Sequence, residues 1–169
     1  MTNATHAPAT TTQVYRVYIQ ATPEAIWDAI TKPEWTARYG YGGIADYDLR
    51  AGRPFVVHPS EPMASMEGVP DDIIDGEVVE ADPPRRLSLT WRMLMDPGMQ
   101  AEGFTKLTYE IEPVDGGATR LTVVHELEGA PMLAAMVGGE HEAEGAGGGW
   151  AWILSDLKSL LETGAPLAG

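Results

Sequence analysis

The chain contains no cysteine. Disulfides, thiolate nucleophiles and thiolate metal sites are excluded together, which suits a reducing compartment. It is also poor in positive charge: 11 Lys and Arg stand against 25 Asp and Glu, for a formal net charge of −14. The basic residues are scattered, so no patch is present to hold nucleic-acid phosphates or anionic lipid heads. No apolar run is long enough to span a bilayer, and the opening "MTNATHAPATTT" has neither a basic nor an apolar leader region. A cytoplasmic protein is expected, without nucleic acid as a partner and without membrane insertion. Nucleophile elbow, phosphate loop, dinucleotide fingerprint and HExxH are all missing, which counts against several enzyme classes. No cofactor is expected.

What is present fits one domain. A chain of 169 residues, 44% of them hydrophobic, can bury a sizeable core. Residues 1–12 are small and polar and read as a disordered tail, leaving 13–167 as a single domain. "VYRVYIQ", from Val14 to Gln20, is a β-branched and aromatic strand. "TPEAIWDAIT" follows, with Thr22 as N-cap, Pro23 at the first helical position and Ile26, Trp27 and Ile30 on one face. "PEWTARYG" predicts a second short helix ending at Gly40. From Gly42 to Glu128 the period is two, with turn signals at "RAGRP", "DPP", "DPG" and "DGG", which predicts an antiparallel sheet. Leu87, Leu89 and Trp91, then Leu107, Tyr109 and Ile111, then Leu121, Val123, His125 and Leu127 mark its apolar face. The facing of "DIIDGEVVE" is left open, because apolar residues fall on both sides. In "GGGWAWILSDLKSLLETGAPL" the residues Trp150, Ile153, Leu154, Leu157, Leu160 and Leu161 share one helical stripe, with Ser155, Asp156, Ser159 and Glu162 opposite. The expected architecture is α+β: a curved antiparallel sheet across which the last helix lies, with two short helices after the first strand.

These stretches carry a resemblance. "ATPEAIWDAITKPEWTARYG", "GEVVEADPPRRLSLTW", "LTYEIEPVDGGATRLTVVHE" and "GGWAWILSDLKSLLETG" resemble the START-like (SRPBCC) superfamily. Within it they look most like the bacterial homologues of the activator of a heat-shock chaperone's ATPase. The resemblance covers Val14 to Leu167 and implies the helix-grip fold, with a cavity between sheet and terminal helix that holds apolar or amphipathic small molecules. It carries no catalytic residues over, since the matching motifs are structural, and fold alone does not assign function.

The chemistry of the residues narrows the reading. The connections 58–72 and 127–149 are longer than a tight turn needs and are expected to act as lids. They carry Met66, Met132 and Met136, adaptable side chains suited to variable apolar surfaces; Met132 and Met136 lie four apart, on one face of a short helix after Pro131. Trp35 and Tyr39 either line an entrance or pin the second helix to the sheet. Phe55, Trp91, Tyr109, His125, Trp150 and Leu154 are expected to line the interior. His125 is either an acid or base in the cavity or a core histidine hydrogen-bonded to its surroundings, the second reading being favoured. "GEHEAE" holds one histidine among flexible glycines and reads as a solvated acidic loop, so no metal is expected. The preferred function is binding of an apolar or aromatic small molecule. A cyclase- or hydrolase-type enzyme using His125, and a chaperone cofactor or interaction module, are the alternatives. Trp152 lies about 200° around the helix from Trp150 and is expected to face away from the sheet, against a second copy in a homodimer or under the chain's own loops.

Overall fold

A computed structural model describes residues 11–167. Residues 1–10 of the expected disordered tail lie outside the described residues. The chain is already a strand at Thr12: β1 runs Thr12–Ile19, and Thr12 stands opposite Glu126. Helix α1, Pro23–Thr31, follows as its local signals dictate. The Thr22 hydroxyl accepts from the Ala25 amide at 3.1 Å, and Ile26, Trp27 and Ile30 are buried. Helix α2, Pro33–Thr36, is shorter than "PEWTARYG" suggests; the chain turns out of it and reaches Gly40 at φ 63°.

Six further strands complete the sheet: β2 Ile44–Tyr47, β3 Pro54–His58, β4 Ile74–Asp82, β5 Arg86–Met93, β6 Thr105–Pro113 and β7 Thr119–Glu126. All pairings are antiparallel and the order is β1-β7-β6-β5-β4-β3-β2. Three short helices lie in the connections: α3 Glu61–Ala64, α4 Pro97–Ala101 and α5 Pro131–Val137. The long helix α6, Gly149–Thr163, closes the fold.

Cross-strand partners share a face of the sheet, so the register defines the apolar side. Tyr47 pairs with Phe55, Val57 with Ile74, Ile74 with Met93, and Leu87 with Tyr109, which in turn pairs with Val123. This face holds the core, with Trp150, Leu154 and Leu157 of α6 packed in the same cluster. Burial of each such side chain contributes on the order of 1.5–3 kcal/mol. The open question of the "DIIDGEVVE" strand is resolved by its cross-strand pairs, Ile74 with Val57 and Met93 and Val78 with Leu89, followed by a register shift between Val78 and Glu80. Ile74, Gly76 and Val78 face inward by plain alternation, which leaves Val79 exposed, and the bulge then moves the next inward position from Glu80 to Ala81, opposite Leu87.

Two local readings are corrected. "DPG" is not a hairpin turn: the Asp96 carboxylate accepts from the amides of Gly98 and Met99 and starts α4. Asp156 is not on the solvent face of α6. It is 2% exposed, and its two oxygens accept from the amides of Gly40 (2.7 Å) and Leu167 (2.6 Å). A carboxylate on the flank of the helix thereby ties both the α2–β2 loop and the chain's end to α6.

Candidate functional site

Glycines admit the aromatic residues of the site. Phe55 stands opposite Gly76, where a Cβ would lie 1.9 Å from the Thr90 carbonyl oxygen and 2.7 Å from the Phe55 ring. The Phe55 ring therefore rests on bare backbone and stacks on Tyr47 at 5.1 Å between centroids. At the other end, Gly149 has φ 68°, and a Cβ there would lie 2.1 Å from the Val137 carbonyl oxygen. Only glycine lets the chain pass so close to α5 and deliver Trp150 inward. The Tyr41 hydroxyl accepts from the Gly149 amide at 3.1 Å, satisfying an otherwise orphan donor at the start of α6.

Trp150 meets a polar chain running through the core. Its indole nitrogen, which can only donate, donates to Nδ1 of His125 at 3.1 Å. Nδ1 must then be the bare nitrogen, so the neutral ring carries its proton on Nε2, which lies 2.8 Å from the Thr105 hydroxyl. The Thr105 hydroxyl passes its own proton on to the Trp91 carbonyl at 3.0 Å. Every donor and acceptor of this relay is used. His125 is 0% exposed, and burial pushes its pKa down to about 3. Its ring also meets the Trp91 and Trp150 rings edge-on at 5.3 and 5.9 Å. A histidine with both nitrogens committed has no lone pair or N–H left for a substrate, which is the arrangement of a core histidine rather than a poised acid or base.

Beside this packed end lies a ring of tyrosines. Tyr109 meets Trp150 edge-on at 6.1 Å. Tyr39, Tyr47 and Tyr109 are held well above the usual phenol range, first by burial; Tyr47 adds to the effect at Tyr39, and Tyr47 and Tyr39 add to it at Tyr109. The three phenols therefore share one region. The Tyr39 hydroxyl donates to the Ala29 carbonyl at 2.9 Å. The hydroxyls of Tyr47 and Tyr109 have no partner among the described residues. Yet among those residues no fully enclosed side-chain nitrogen or oxygen lacks one. Both hydroxyls must therefore reach water.

Of the residues expected to line the interior, Phe55, Trp91, Tyr109, His125, Trp150 and Leu154 all fall in or against the core, and Trp35, Tyr39 and Met136 pack partly buried on its border. Met66 and Met132 do not join them. Met66 is 63% exposed beyond α3, and Met132 is 45% exposed because the first turn of α5 points it outward over Gly98. Tyr47 was missed. The period of two from buried Ala45 was its only signal, in a strand of four residues. Trp152 is half-buried, with the glycine-rich loop close by: a Cβ on Gly148 would lie 2.9 Å from that of Trp152. In the acidic loop His141 pairs with Glu144 at 2.8 Å. Two surface clefts, of about 160 Å³ beside Tyr39 and Asp156 and about 300 Å³ between β1 and α5, are not lined by Trp91, Tyr109, His125 or Trp150.

A seven-stranded antiparallel sheet holding a long C-terminal helix defines a helix-grip protein of the START-like class. The chain belongs to the family described as activator of Hsp90 ATPase homolog 1-like protein, whose model matches residues 20–162. Among solved structures it is similar to protein MLL2253 from Mesorhizobium loti (22% identity, 89% of this chain and 96% of that one, TM-score 0.63). It is also similar to the Aha1 dimer from Colwellia psychrerythraea (19%, 90% and 97%, 0.61). DynU16, of the dynemicin biosynthetic locus, matches at 23% over 94% of this chain and 49% of that one, with a TM-score of 0.63. At these identities the likeness shows the fold. No curated protein matches at a significant level.

Proposed function

We propose that the protein binds an apolar or aromatic small molecule between the sheet and α6, in the recess bounded by Tyr47, Tyr109 and Trp150. The observation that carries this is the pair of phenol hydroxyls, on half-buried rings beside the aromatic core, without protein partners among the described residues. Hydroxyls that reach water beside apolar walls can exchange that water for an oxygen of a ligand. Apolar walls with a few convergent polar groups are the ordinary make-up of a small-molecule site. The origin of DynU16 in a biosynthetic locus also supports a small-molecule partner. Tryptophan fluorescence and a thermal-shift screen over aromatic and acyl compounds test this, since a ligand that binds only the folded state raises the midpoint. Saturable binding together with a raised midpoint supports the reading; no response to any ligand class overturns it.

A second reading, an interaction module working as a homodimer or on a chaperone, draws on the Aha1 dimer and on the half-exposed Trp152. Solution mass separates it. A wild-type dimer that becomes a folded monomer on Trp152→Ser places self-association on the outer face of α6, and a monomer at high concentration removes that idea.

A further inference from the structure

We propose that the recess selects a neutral, planar aromatic ligand carrying a carbonyl or hydroxyl oxygen, and rejects carboxylates and amines of the same shape. The inference rests on the binding reading above and adds the chemical class of the ligand.

Three observations carry it. First, the walls are flat rings: Tyr47 stacked on Phe55, and Tyr109 set edge-on to Trp150. Slabs of this kind favour a planar ring system, because offset and edge contacts add to plain area burial. Second, neither the Tyr47 nor the Tyr109 hydroxyl has a protein partner among the described residues, and both reach water. Each can donate one hydrogen bond and accept others, which matches a carbonyl or a phenolic oxygen on the ligand. Third, the site is without charge. Tyr39, Tyr47, Phe55, Tyr109 and Trp150 are all uncharged side chains. The buried carboxylate nearest in the fold, Asp156, spends its two oxygens on the amides of Gly40 and Leu167. Burial holds the phenols above their usual range, so they remain neutral donors at working pH. A ligand carboxylate or ammonium would lose its hydration here and find no counter-charge, a penalty that two phenols do not offset. A neutral oxygen exchanges its water for phenol donors at little loss.

The test uses the full chain and four compounds of one shape: 2-naphthol, 2-methylnaphthalene, 2-naphthoate and 2-(aminomethyl)naphthalene, titrated by calorimetry at neutral pH. 2-Naphthol should bind about 5- to 20-fold tighter than 2-methylnaphthalene, the gain of one or two net hydrogen bonds. The carboxylate and the amine should each bind at least about tenfold more weakly than 2-methylnaphthalene. In the Tyr47→Phe/Tyr109→Phe variant the preference for 2-naphthol over 2-methylnaphthalene should shrink to within about twofold. The hydroxyls it removes have no protein partner, so the variant should melt no lower than the wild type. Equal binding of 2-naphthoate and 2-naphthol, or a preference that survives in the double variant, overturns the inference. The wild-type series alone decides the charge selectivity, whatever the variant's stability. No binding by any of the four overturns the underlying binding reading instead, so the two failures are distinct.

Discussion

His125→Leu tests the polar relay most directly. Leucine is apolar and of similar bulk, so it removes the acceptor for the Trp150 indole and leaves that N–H buried without a partner; Trp150 is 5% exposed. Thr105 still donates to the Trp91 carbonyl and loses only an incoming bond. One orphaned donor costs about 1–3 kcal/mol and the lost edge contacts with two tryptophans add about 1 kcal/mol, so a loss of about 2–4 kcal/mol is expected at neutral pH. For a domain of this size that lowers the thermal midpoint by roughly 5–15 °C. The loss must also depend on pH. A histidine that titrates near 6.5 unfolded and near 3 folded binds its proton preferentially in the unfolded state. Its contribution is therefore fully present above about pH 6.5 and is lost as pH falls toward 3, by about 4–5 kcal/mol over the window. The gap between wild type and His125→Leu should narrow, and then reverse, as pH is lowered. Urea unfolding at a series of pH values, read by tryptophan fluorescence and circular dichroism, measures both effects. Adding Trp150→Phe removes the orphan, so the two changes should couple by about 1–2 kcal/mol. A variant as stable as wild type at pH 7, a pH-independent gap, or strict additivity with Trp150→Phe would refute the relay.

Asp156→Ala should free residues 165–167 and the Gly40 turn together, costing about 2–3 kcal/mol in chemical denaturation and exposing the chain's end to carboxypeptidase in the otherwise folded protein. Gly76→Ala is expected to be severe, at least about 3 kcal/mol, because its Cβ has nowhere to go between the Thr90 carbonyl and Phe55; a soluble variant with an unchanged midpoint would contradict the packing described. The carboxylate of Glu102, at the end of α4, accepts from the amides of Met132 and Leu133 at 2.8 and 3.1 Å. Glu102→Ala should therefore speed hydrogen exchange at those two amides by about tenfold or more and leave the strands unaffected.

What the sequence determined by itself was local. Thr22, Pro23 and the 3.6-residue period bring their own capping and burial pattern, so α1 and the inner stripe of α6 could be read within a window of a dozen residues. Strict alternation did the same for β5, β6 and β7, and with them for the inward placing of Trp91, Tyr109 and His125. The arrangement of curved sheet and gripping helix followed from their order. Tertiary structure decided what depended on partners distant in the chain. Asp156 looks like a solvent residue until Gly40, 116 residues away, and Leu167 donate to it. "DPG" serves a hairpin or a helix start equally well locally, and the three-dimensional course of the chain selected the helix. The facing of β4 was set by its pairing with β3 and β5, and past Val78 by a bulge that exists only in the pairing with β5. Met66 and Met132 carry the same side chain as Met136, and only the direction of their backbone turns them outward. His125 alternated inward in the sequence, but its tautomer and its loss of acid–base capacity come from an indole and a hydroxyl that the fold brings to its two nitrogens. Tyr47 and Tyr109 lie on strands 62 residues apart. That their rings come into one region with neither hydroxyl given a protein partner among the described residues is a property of the curved sheet, because hydrogen-bond satisfaction is counted in space and not along the chain.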